Sequence, residues 1–162
     1  MIKLIYLVPI IALFGILVGF ILKRIANEEI KFGKFGSRYF IWMKRIILLL
    51  IIIIALYFTE NITLVIVTAV LGFILSIFVN EYLFLGTALL LGFLKGKEIL
   101  MLLASLIFLY GLPYGSMLRR FAKEHLFILL FFVPFSLLFV DIDPAVIIGF
   151  SSGGLLQYII RK

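Results

Sequence analysis

The feature that most constrains this chain is a succession of apolar segments, each close to bilayer length, separated only by short charged or turn-like breaks. Of its 162 residues, 65% are hydrophobic, and the mean hydropathy is +1.33. A soluble domain of this size still leaves roughly a third of its unfolded surface in water. Too little polar side chain is present to cover that surface, so the expected solvent is lipid. The expected fold class is an all-α integral membrane protein, a polytopic bundle forming a single domain in the cell membrane.

Seven spans are read, at about 2–22, 46–59, 62–79, 82–94, 99–117, 126–140 and 145–160. The first is long enough, at about 1.5 Å per residue, to cross roughly 30 Å of hydrocarbon. It ends at Lys23-Arg24 without a small-x-small cleavage pattern, so it reads as a retained span and not a signal peptide. The segment 23–45 reads as a cytoplasmic basic loop, with Lys23, Arg24, Lys31, Lys34, Arg38, Lys44 and Arg45 against Glu28 and Glu29. Its Tyr39, Phe40 and Trp42 suit the head-group level, where anionic lipid is the expected partner.

The fourth segment is short, about 20 Å of helix. It is expected to cross a thin bilayer, to sit inside the bundle, or to form a re-entrant hairpin with the fifth; six spans or such a hairpin are the alternatives to seven. Seven spans are preferred, because a hairpin would bury Lys95, Lys97 and Glu98 near mid-bilayer. The positive-inside rule puts the N-terminus outside and the C-terminus in the cytoplasm. Arg119, Arg120, Lys123, Arg161 and Lys162 then lie inside, and Glu60, Asp141 and Asp143 outside. Lys95 and Lys97 fall on the wrong side.

Composition excludes several chemistries. There is no cysteine, hence no disulfide or thiolate site, and His125 is the sole histidine. The net charge of +7 is the ordinary signature of cytoplasmic loops in a membrane chain and is not read as nucleic-acid binding. No cofactor or metal is called for.

Gly-x-x-x-Gly recurs at Gly15/Gly19, Gly92/Gly96, Gly111/Gly115 and Gly149/Gly153, a spacing that lets helix backbones approach closely in lipid. Packing within one bundle is the expected use, and a homodimer seam at Gly15/Gly19 is the sharper one. Gly149, Ser152, Gly153 and Gln157 form a small-and-polar stripe, either a packing face or one wall of a polar cavity. Asp141 and Asp143-Pro144 read as outer-turn carboxylates with a helix N-cap before a first-position proline, in preference to a cation site. Asn80-Glu81 is surface turn chemistry, or, if Glu81 lies within the membrane, the leading residue for proton or cation handling.

Gly149-Phe150-Ser151-Ser152-Gly153 has the G-x-S-x-G form of a hydrolase elbow but sits in an apolar helical run, far from His125. Glu28-Glu29 with Phe121-x-x-x-His125 resembles part of the motif set of CAAX-type intramembrane proteases. Gly33 stands where that set needs Arg, and a further His is absent, so the match is rejected. The segment Glu28 to Lys34 with its Ile/Leu-rich span is faintly similar to archaeal prepilin-peptidase-like proteins, but their catalytic G-x-G-D is missing. The expected function is therefore a non-enzymatic structural or accessory component of a membrane complex, as a homo-oligomer or with other membrane subunits. The alternatives are a small oligomeric transporter or channel for an ion, proton or apolar solute, and a lipid-modifying or non-catalytic peptidase-like protein.

Overall fold

The computed structural model describes residues 7–26, 34–117 and 128–161. Its main elements are α1 (Val8–Ala26), α2 (Lys34–Tyr57), α3 (Ile62–Leu75), α4 (Glu81–Lys95), α5 (Lys97–Met117), a 3-10 segment (Val133–Phe139) and α6 (Pro144–Ile160). No strand occurs among the described residues. Three stretches are long and apolar enough to cross a membrane: Val8–Ile25 in α1, Tyr39–Tyr57 in α2 and Lys97–Ser116 in α5. α3 and α6 are shorter apolar helices.

Small residues set the helix directions. Gly15 and Gly19 of α1 lie against the backbone of Phe108 and Leu112 of α5, while Gly111 and Gly115 of α5 return the contact at Ile16. Two glycine pairs therefore interlock, and the two helices run parallel. Gly149 and Gly153 of α6 meet Val65 and Ala69 of α3 in the same order, a second parallel seam. A tight turn joins α2 to α3, where Asn61 accepts a hydrogen bond from the Leu64 amide. Gly96, at φ +126°, turns the chain between α4 and α5 in a conformation suited to glycine. α1, α3, α5 and α6 thus run one way, α2 and α4 the other. Lys95 pairs with Glu60 at one end (2.7 Å) and Lys44 with Glu81 at the opposite end (3.3 Å).

α4 is the centre of the molecule. Eleven of its fifteen residues are buried, on every side of the helix. Gly86 and Gly92 bring it against the backbone of Phe131 and Leu100, and it also packs on α6, the 3-10 segment and, more lightly, α2. The bundle keeps large apolar side chains on its outside: Ile11, Phe14 and Leu22 of α1, Ile46 and Ile53 of α2, Ile66 and Leu71 of α3 are all more than half exposed.

Several expectations change. The basic segment 23–45 is not a loop throughout, because α2 begins at Lys34. Residues 38–45 contain no glycine or proline and continue the apolar run of the second span, so the helix extends back through them. Residues 27–33 lie outside the described ones. The third span stops being helical at Leu75 and ends in turns. The sixth span, 126–140, is α-helical only at Ile128 and Leu129 among its described residues. Ile128 to Val133 close i→i+3 hydrogen bonds, and Pro134 has no amide to continue an α-helical ladder, so a 3-10 segment forms beside α4. α4 and α5 each run the height of the bundle, leaving Lys95, Lys97 and Glu98 together at the Glu60 end in place of a buried hairpin tip. Gly15 and Gly19 are occupied by α5, so they are not free to form a homodimer seam. Gly92 and Gly96 divide their roles between packing and turning.

Candidate functional site

Glu81 opens α4, where a carboxylate suits the positive end of the helix dipole. Asn80 precedes it at the N-cap position with extended backbone, but its side chain makes no capping bond. Because α4 is the central helix, its first residue is already inside the protein, and the Glu81 side chain is only 9% exposed. A buried carboxylate needs a partner. Lys44, three turns into α2, provides one, its ammonium 3.3 Å from Glu81 Oε1 and its side chain 21% exposed.

The same ammonium is held from α5. Tyr110 and Tyr114, four residues apart on one helical face, present their rings to Lys44 Nζ at 5.1 and 4.5 Å from the centroids. Those distances are in the range of cation–π attraction. The two rings stack at 6.0 Å, and Tyr82 meets Tyr114 edge-on at 5.3 Å. The Tyr110 hydroxyl is buried and closes no hydrogen bond of normal geometry. One lysine therefore ties together α2, α4 and α5.

Arg45 reaches the opposite way. Its Nη2 donates to the Arg161 carbonyl at 3.3 Å, the C-cap of α6, and its guanidinium lies 5.9 Å from the Trp42 ring. From α6, the Tyr158 hydroxyl is directed at the carbonyls of Ser76 and Val79, beyond the end of α3. Two cavities meet at this end. One, of about 220 Å³, lies between Lys44, Arg45, Glu81, Tyr158 and Arg161, with Ile41 and Leu48 as its apolar wall. The other, of about 290 Å³, shares Glu81, Tyr158 and Arg161 and is bounded by Asn80, Tyr114 and the exposed Ile77-Phe78. Three cations and one carboxylate line the first.

The other expected residues are placed elsewhere. Ser152 is buried with no hydrogen-bond partner for its hydroxyl, as is the Gln157 side-chain oxygen, and neither lines the two cavities at Glu81. Gly149 and Gly153, from the same stripe, are consumed by the α3 seam. Ser151 donates to the Ile148 carbonyl inside α6, so the G-x-S-x-G string is continuous helix and makes no elbow. Asp143 accepts from the Ala145 amide at 2.8 Å with Pro144 first in α6, which is the N-cap role; Asp141 is exposed. His125 and Glu28-Glu29 lie outside the described residues. Among the described residues, no three His, Cys, Asp or Glu side chains come together as metal ligands.

Lys44 and the tyrosines were not singled out by sequence. A signal was present: Tyr110, Tyr114 and Tyr158 all stand within two turns of a helix end that strict alternation puts beside Glu81. Comparison with protein-family models, with curated proteins and with solved structures gives no match to this chain.

Proposed function

We propose that this chain is a polytopic protein of the cell membrane, with its Glu81 end in the cytoplasm, acting as a non-enzymatic accessory component of a membrane complex. The carrying observation is the inverted distribution of side chains. The large apolar residues of α1, α2 and α3 face outward, while the ion pair and tyrosines are gathered around the central helix. Lipid is the solvent in which that arrangement is stable. Charge supports the orientation: Lys23, Arg24, Lys44, Arg45 and Arg161 share the Glu81 end, and Glu60, Glu98, Asp141 and Asp143 share the other with Lys95 and Lys97.

The accessory reading is preferred to transport because the polar groups further along α4 and α6 do not extend the cavities at Glu81: Thr87 donates to the Phe84 carbonyl of its own helix, and neither Thr87 nor Ser152 lines those cavities. The other buried side chains in these turns of α4 include Phe84, Leu85, Ala88, Leu89 and Leu91, each at most 1% exposed and packed in apolar clusters. Glu81 itself favours the second reading, a small transporter for a proton or cation. Single cysteines at Asn80 and Lys97 of this cysteine-free chain test topology and role together. In sealed vesicles Asn80→Cys labels from the cytoplasmic side only and Lys97→Cys from the other side only. Labelling of position 80 from both sides would put a water path through the bundle and move transport ahead.

A further inference from the structure

We infer that the cavity between Arg45 and Arg161 is a binding site for a phosphate monoanion or phosphodiester, and that its occupant is the head group of one anionic phospholipid. The inference rests on the membrane reading above. Glu81 is already neutralised by Lys44 at 3.3 Å. Arg45 and Arg161 are therefore surplus positive charge around one cavity of about 220 Å³. Arg45 spends a single donor on the Arg161 carbonyl, and a guanidinium has five, arranged in a fork that fits two phosphate oxygens. Ile41 and Leu48 form an apolar wall on the α2 side. Trp42, 59% exposed and beside Arg45, is the kind of side chain that lies at head-group depth. A soluble phosphate would use the arginines alone; a lipid uses the arginines and the apolar wall at once, because its acyl chains run along α2.

Trp42 is the only tryptophan, and it reports directly on this site. The chain is reconstituted in zwitterionic vesicles doped with either a brominated phosphatidylglycerol or a brominated phosphatidylcholine at equal mole fraction, and quenching of Trp42 is compared. The expected result is a preference for the anionic lipid of about tenfold in relative association. Arg45→Gln/Arg161→Gln brings that preference near unity. Lys23→Gln/Arg24→Gln, which removes equal charge from the same end but away from the cavity, leaves most of it. Equal loss in both double variants, or no preference in the parent, overturns the site, since diffuse surface charge then explains the binding. A response of Trp42 to millimolar inorganic phosphate in purely zwitterionic vesicles, with no preference among lipids, assigns the arginines to a soluble anion and overturns the lipid. Release of the chain from membranes by alkaline carbonate is read separately and strikes at the membrane reading instead.

Discussion

Lys44 illustrates how little of this site belongs to one segment. Its ammonium is held by a carboxylate from α4 and two ring faces from α5. Lys44→Met would leave Glu81 buried without its counter-charge, and a loss of about 2–4 kcal/mol of stability in detergent is expected, below the top of the range because Lys44 is one-fifth exposed. Lys44→Met/Glu81→Gln removes both charges and should recover most of that loss. A double variant no more stable than Lys44→Met would show that the ion pair is not the cause. Sequence marked Glu81 because a carboxylate between apolar runs stands out, and Asp143 because an Asp-Pro step has one strong local meaning. Lys44 did not stand out among seven cations in 23–45, since its partners lie 37 and more residues away.

At the scale of elements, close helix approach dominates. A side chain at Gly15 or Gly111 would collide with backbone across the α1–α5 seam, and at Gly153 with the backbone of Ala69 across the α3–α6 seam. Gly15→Leu is expected to destabilise the folded monomer by about 1–3 kcal/mol, seen as a lower unfolding midpoint in detergent with unchanged elution volume. A shift from dimer to monomer at unchanged stability would restore the seam to an oligomer. Gly96→Ala meets open space but forces φ +126° on a residue with a Cβ, so a smaller loss of about 1 kcal/mol is expected from backbone strain alone. The glycine spacing was legible in the chain; which helix each pair would face was not, because spacing carries no address. Likewise α5 and α6 follow the apolar runs closely, whereas α2 starts a dozen residues before its apolar stretch and the 3-10 segment replaces an expected helix. In both places, contact with neighbouring elements and a proline decide what hydropathy alone leaves open.

For the whole molecule, the ordering of helix directions gathers cations at one end and leaves a mixed, more acidic set at the other. Alternation of the expected spans along the sequence gives the same division, even though the sixth expected span is α-helical only at Ile128 and Leu129 among its described residues. The central position of α4 was one of three readings of a short apolar run, and burial singles it out. That position also bears on how the protein comes to exist. A helix with almost no surface left for lipid gains little from lipid, and α4 emerges before two of the elements that enclose it, the 3-10 segment and α6. During synthesis it has to be sheltered by α5, to which the Gly96 turn joins it, until those later residues arrive. A chain stopped after Met117 should therefore be made but remain open to proteases along α4, and the enclosure of α4 is completed only when α6 packs against it.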